Sequence, residues 1–330
     1  MTSTTSSFDA ERINVAVLGA GTWGAVLAQV MAPAAAVRLW SPTGKHLEVL
    51  SQERTHPHLP DLRLDARIEV TGSLPQALKG ARVLVIAVAS RYVRAVMREA
   101  APLADPASLV CIASKGMEPE TGLALSQIAS QELPGHPVVV ASGGSHAEEV
   151  VRNLPFGMTL AGDADGCRLV KTLLSHSRGR FVHCGNMLGV EIAAALKNVV
   201  AVVAGIADGL GMGDNFRACY LVDALEEIGR FAAKTSGEEL NALQYGVFGD
   251  LLATALSTHS RNFRYGRLLG SGMQSDRARQ EIDMVVEGLD AARSLLTRPL
   301  AGFPVLEASA RLVASEHTVG ADELLARLGY

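Results

Sequence analysis

The sequence predicts an α/β chain in two parts, an N-terminal doubly wound parallel sheet over 13–188 and a C-terminal all-helical domain over 189–330. Three observations carry this reading. Short β-branched runs alternate with helical patterns through the first half, which places helices on both faces of a parallel sheet. One of those runs, 83–88, is apolar throughout, as a strand covered on both faces must be. From about Gly189 the strand signal ends, and alanine, leucine and glutamate recur at helical spacing.

Taken in order, residues 1–12 are rich in serine and threonine, with neither a basic start nor an apolar segment. They predict a disordered tail and no secretory signal. Residues 13–18 form a strand stopped by glycines, 23–31 a helix and 36–40 a second strand. Strands follow at 83–88, 108–113 and 137–141, with a helix over 92–101. In the second part the helical pattern is clearest over 218–233 and 280–296.

The chain's 330 residues suit two cores better than one. With 48% apolar and 19% charged residues, the composition excludes a wholly disordered chain. A net charge of −4 gives no electrostatic ground for nucleic acid or an anionic membrane as partner. The apolar stretches are too short or too interrupted for an integral membrane segment. Cys111, Cys167, Cys184 and Cys219 are scattered without a CxxC pair, so no metal site and no disulfide framework is expected. Buried free thiols in a reducing cytoplasm are the expectation. His56-Pro57-His58 has no acid or cysteine at ligand spacing and reads as a loop.

Gly19-Ala20-Gly21-Thr22-Trp23-Gly24 matches GxGxxG between a strand and a helix, the context of a Rossmann-like dinucleotide turn. Gly19, Gly21 and Gly24 allow a tight turn and close approach of backbone to a pyrophosphate at the helix N-terminus. A glycine-rich turn that binds nothing is the alternative. The second strand ends Trp40-Ser41-Pro42 rather than in the acid that would hold the ribose of NAD, and the first carboxylate afterwards is Glu48. Arg38, Lys45 and His46 stand nearby, so the reading is NADP or NAD, leaning to NADP; the alternative, with equal weight, is three solvated surface groups.

Ser114-Lys115-Gly116 and Ser142-Gly143-Gly144-Ser145 each follow a strand, where ligands gather in open α/β sheets. Singly, each is equally an ordinary strand-to-helix loop with Ser145 as an N-cap. From Ile192 to Ile206 every residue is apolar or glycine except Lys197 and Asn198. Lys197 shares a helical face with Val190, Ala193 and Ala204, so it either snorkels to the surface or is held for proton transfer. Asp250 could steady it. Ser260, Arg261 and Asn262, with Arg264, cluster donors at a helix start, either as a phosphate clamp or as a solvated cap.

Together these residues resemble the bacterial-type NAD(P)-dependent glycerol-3-phosphate dehydrogenases, from Ile13 to about Leu325. The likeness rests on Gly189-Val190-Glu191, Ala195-Leu196-Lys197-Asn198-Val199, Gly209-Leu210-Gly211-Met212-Gly213-Asp214-Asn215, Ser260-Arg261-Asn262 with Gly266, and Val286-Glu287-Gly288. The resemblance implies that Thr22, Trp23, Ala147, Val285 and Glu287 contact cofactor, and that Lys115 and Arg261 touch both cofactor and substrate. Gly143, Ser145, Asp250, Ser260 and Asn262 would bind substrate, with Lys197 as the acid–base residue. It also implies a homodimer that supplies glycerophospholipid synthesis. The sequence departs from the family pattern at Pro42, Gly144, His146, Asp223 and 242–248.

The reaction expected is reversible hydride transfer between NAD(P)H and dihydroxyacetone phosphate, giving sn-glycerol 3-phosphate. The rivals are a related dehydrogenase of another small hydroxy or keto acid, and a non-catalytic NAD(P)-binding sensor.

Overall fold

The computed structural model describes residues 12–42, 47–282 and 285–330. Residues 1–11, together with Lys45 and His46, lie outside the described residues. Among the described residues eight strands form one sheet: β1 (Ile13–Leu18), β2 (Ala35–Trp40), β3 (Glu69–Thr71), β4 (Val83–Ile86), β5 (Leu109–Ile112), β6 (Val138–Gly144), β7 (Phe156–Gly162) and β8 (Gly179–Cys184). Their order is β3-β2-β1-β4-β5-β6-β7-β8. β1 lies between β2 and β4, parallel to both, so the winding reverses there and a crevice opens at the carboxyl ends of β1 and β4.

The sheet departs from the sequence reading at one seam. β6 and β7 pair antiparallel, while every other pairing is parallel. The link from β6 to β7 holds only a four-residue helix, and so short a connection suits antiparallel neighbours. The expected strands number five; β3, β7 and β8 escaped. β3 has three residues, and β8 at the sheet edge is half exposed.

Helices α1 (Thr22–Met31), α2 (Leu74–Leu78), α3 (Ser90–Ala100), α4 (Leu125–Glu132), α5 (Ala147–Val150) and α6 (Ala164–Leu173) accompany the sheet. Then follow α7 (Met187–Gly209), α8 (Gly213–Ser236), α9 (Asp250–Ala255), α10 (Arg261–Gly270), α11 (Ser275–Ile282), α12 (Glu287–Leu296), α13 (Pro304–Ser315) and α14 (Ala321–Leu328). The helical pattern over 280–296 is two helices, not one. Val286 is extended, and Gly288 brings the restarted helix against α7, where a Cβ would lie 2.8 Å from the Asn198 carbonyl oxygen.

α7 is the axis of the second part. It is long and apolar enough to cross a membrane, yet its whole apolar window is buried inside the protein. Glycines let α10 pack backbone to backbone upon it: a Cβ on Gly266 would lie 1.9 Å from the Val202 carbonyl oxygen, and one on Gly205 would lie 2.1 Å from that of Phe263. At the other end, Asn186 caps α7, accepting from Gly189 N–H at 2.7 Å. Glu191, buried, accepts from the backbone and hydroxyl of Ser126 in the first turn of α4. Thus α7 is fastened to the sheet part at one end and to α10 at the other. The four cysteines are free; Cys111 and Cys167 are buried, but Cys219 is exposed, against the expectation of buried thiols.

Candidate active site

A cleft of about 330 Å³ lies where the carboxyl ends of β1, β4, β5 and β6 face α7, α9 and α10. Its floor on the sheet side is the glycine turn. Gly19 has φ +119°, and a Cβ there would meet the Ala87 carbonyl oxygen at 2.5 Å, so only glycine fits. A Cβ on Gly24 would sit 1.9 Å from the Gly19 carbonyl oxygen. Gly19 and Gly24 therefore shape the turn from behind, whereas Gly21, Thr22 and Trp23 line the cleft. Gly21 is the extended N-cap of α1 with no side-chain cap, and a Cβ there would meet nothing within 4 Å. That leaves the first N–H groups of α1 open to an anion, a cradle that fits a dinucleotide pyrophosphate.

Lys115 extends from the loop after β5. Its Nζ donates to the Gly143 carbonyl oxygen at 3.0 Å and reaches Asp250 Oδ2 at 3.0 Å. Gly143 supplies that carbonyl and does not line the cleft; Ser145 and Ala147 do. Ser145 does not cap α5, whose N-cap is His146; its hydroxyl donates instead to Gly143 O at 3.2 Å.

Lys197 is only 4% exposed, and its Nζ donates to Asp250 Oδ1 at 2.7 Å and to Thr254 Oγ1 at 2.6 Å. The Thr254 hydroxyl spends its own hydrogen on the Asp250 carbonyl oxygen, so toward Lys197 it can only accept. Two ammonium protons are thereby fixed, and the third is left for the cleft that Lys197 lines. Burial pushes the Lys197 amine down to about 8, with the Lys115 charge adding to the fall and Asp250 resisting it. Burial alone would raise the Asp250 carboxyl, but the two ammonium groups hold it below its ordinary value. At neutral pH the cluster is thus a carboxylate between two cations.

Ser260 is the N-cap of α10, accepting from Phe263 N–H at 3.2 Å. Asn262 is buried; its amide donates to Asn198 Oδ1 at 2.9 Å and its oxygen accepts from Gly288 N–H at 2.9 Å. Asn198 in turn donates to Glu287 Oε2 at 3.3 Å. The Asn262 side chain therefore braces α7, α10 and α12, the Ser260 side chain caps its own helix, and both residues line the cleft. The helix start and the Arg261 guanidinium, 4.0 Å from Glu287 Oε1, remain to receive an anion. Val285 and Glu287 line the same cleft.

Arg38 stands apart and corrects one expectation. Its guanidinium pairs with Glu69 on the neighbouring strand at 3.1 Å and donates to the Lys79 carbonyl, so it does not line the cleft. Register explains this: Arg38 lies directly opposite Glu69, two residues short of the end of β2.

A family model for the N-terminal part of NAD-dependent glycerol-3-phosphate dehydrogenase matches residues 14–167, and the model for its C-terminal part matches 186–321. The chain belongs to the NAD-dependent glycerol-3-phosphate dehydrogenase family. Among its relatives, the glycerol-3-phosphate dehydrogenase (NAD(P)+) of Bacillus velezensis is 35% identical over 325 residues, covering 95% of this chain and 94% of its own. That of Bacillus pumilus is 37% identical over 281 residues, covering 83% and 81%. The crystal structure of glycerol-3-phosphate dehydrogenase from Coxiella burnetii superposes with a TM-score of 0.86 at 30% identity, covering 95% of this chain and 98% of that one.

Within this dehydrogenase cleft, Thr254, His259, Glu148 and the 87–89 loop were missed from sequence. Thr254 had a signal, since it lies one helical turn beyond Asp250. The altered segment before Asp250 forms a π-helical turn, Tyr245–Gly249, held by Gly246 N–H on Thr159 Oγ1 at 2.9 Å. It still delivers Asp250 to the cleft.

Proposed function

We propose that the chain reversibly reduces dihydroxyacetone phosphate to sn-glycerol 3-phosphate with NAD(P)H, using Lys197 as the acid–base group. The observation that carries this is the Lys197 ammonium, buried against Asp250 and Thr254 with one proton left for the cleft. When bound, the nicotinamide supplies the hydride. The α1 N-terminus with Thr22 and Trp23 holds the pyrophosphate side, and Ala147, Val285 and Glu287 border the remainder. Arg261 and the start of α10 hold the substrate phosphate, which fixes the ketone near Lys197. Lys197 then polarises the carbonyl and gives its free proton to the oxygen at C2 as negative charge develops there. Asp250 stays ionised throughout and holds the amine in place. Lys115 shares that carboxylate and steadies it through Gly143.

The reading extends to a homodimer in the cytoplasm that supplies glycerophospholipid synthesis; family membership alone supports these points. The lean toward NADP now rests on the missing acid at the end of β2 and on Lys45 and His46, since Arg38 is engaged elsewhere. Following nicotinamide absorbance with dihydroxyacetone phosphate, against a panel of small keto acids and with NADH and NADPH in parallel, tests the proposal. Reduction of a non-phosphorylated keto acid in preference would overturn it.

A further inference from the structure

His146 closes a grip between the turn after β6 and helix α9 that the reaction as described above does not use. Its Nε2 lies 2.7 Å from the Ala253 carbonyl oxygen. A carbonyl can only accept, so Nε2 carries the hydrogen and Nδ1 of the neutral ring is bare. Ala253 is in the last turn of α9, where carbonyls lack a partner within the helix; the final bond of α9 runs from Leu256 N–H to Leu252 O. His146 therefore caps the C-terminal end of α9. Two residues earlier, Gly144 admits the same helix closely: a Cβ there would lie 2.9 Å from Ala253 Cβ and 3.0 Å from the Gly249 carbonyl oxygen. The β6 turn thus touches α9 at both ends of the segment that carries Asp250 and Thr254.

The surroundings of the ring favour its neutral form. Burial first, then the Lys197 and Lys115 ammoniums, push His146 below its ordinary value; the Ala253 hydrogen bond and Glu148 act the other way. The His259 ring packs against it at 5.7 Å between centroids.

We propose that His146 is a positioning residue: as the neutral Nε2–H tautomer it caps α9 at Ala253 and so fixes Asp250 and Thr254 beneath Lys197. This rests on Lys197 being the proton donor. The carboxylate and hydroxyl that orient the amine sit on a six-residue helix, too short to hold itself. Without the cap, α9 turns at its free end, the two acceptors drift from Nζ, and the third proton no longer points into the cleft.

Three substitutions separate the hydrogen bond from the bulk of the ring. The glutamine amide nitrogen matches Nε2 in reach, the asparagine amide is too short, and phenylalanine fills the space without a donor. His146→Phe and His146→Asn should each lower kcat for dihydroxyacetone phosphate reduction on the order of five- to tenfold, the worth of one lost hydrogen bond. Their KM for the cofactor should stay unchanged, and the basic limb of their pH–rate profile should move to lower pH. His146→Gln should recover most of kcat and the original limb. Wild-type kcat and profile in the Phe and Asn variants, or a Gln variant as impaired as Phe, overturns the proposal. Titration of Lys197 Nζ by 15N NMR in the same chains gives a readout that needs no turnover. A downward shift in the Phe and Asn variants, absent in Gln, supports the role, and an unmoved Lys197 overturns it. A wild-type chain that reduces no dihydroxyacetone phosphate with either cofactor overturns the dehydrogenase reading alone, and the titration still decides His146.

Discussion

Lys197 and Lys115 share one carboxylate: Asp250 receives the first at 2.7 Å through Oδ1 and the second at 3.0 Å through Oδ2. A charge that would be costly to bury alone is held between two partners, and the whole cluster carries a net positive charge toward the cleft.

In the proposed reaction ketone reduction needs the Lys197 ammonium, and burial pushes that amine down to about 8. Reduction should therefore be full below that pH and fall as pH rises through it, while oxidation of glycerol 3-phosphate should rise over the same range. Lys197→Ala should lower kcat by roughly a hundredfold or more and leave cofactor binding intact. Asp250→Asn removes the charge that holds the amine up, so its basic limb should move to lower pH. Steady-state profiles in both directions check each point.

Arg261 is a half-buried cation at the start of α10, lining the cleft 4.0 Å from Glu287. Arg261→Ala should raise KM for dihydroxyacetone phosphate about ten- to a hundredfold, as expected for a lost charge-assisted contact. Cofactor dissociation constants measured by fluorescence titration should change less. An unchanged substrate KM would remove the guanidinium from the phosphate site.

Gly266→Ala forces a methyl group to within 1.9 Å of the Val202 carbonyl oxygen. The helices must part, at a cost of about 3 kcal/mol or more. Thermal melting should show a Tm lowered by several degrees, and an unchanged Tm would show that α7 and α10 can separate freely.

Burial raises the Glu191 carboxyl to about 7, against the hydrogen bonds from Ser126 and Leu125 that favour its charge. A raised carboxyl means the folded chain binds more protons than the unfolded chain between about 4.5 and about 7. Its contribution to stability is therefore present in acid and lost as pH rises through that window. Glu191→Gln should flatten this part of the stability–pH curve, as read by urea denaturation at a series of pH values.

Much of the fold was legible because strong local signals agreed. The 83–88 run and the glycine turn fix the sheet's centre and its cofactor end, and the one polar pair within an apolar helix marks Lys197 and Asn198. What escaped has physical reasons. β8 is a half-exposed edge strand with no continuous apolar run, and β3 is too short to show a period. The reversal at β7 depends on a short link rather than on composition. Along the chain Arg38 reads equally as a cofactor contact or a surface group, and only cross-strand register, which sets it opposite Glu69, decides between them. Ser260 and Asn262 read as phosphate donors and do line the cleft, but the bonds that fix them are a cap within α10 and a tertiary link from α10 to α7 and α12 that leaves no trace along the chain.

The interlocked glycines of α7 and α10 have a last consequence. They set the span from the Lys197 amine to the start of α10 by main-chain contact, which exchange of the residues lining the cleft leaves untouched. The two behave as fixed jaws of a gauge. Any phosphorylated ketone reduced in the proposed way has to match that one fixed span. A different span would have to evolve through the backbone, not through the residues that line the gap.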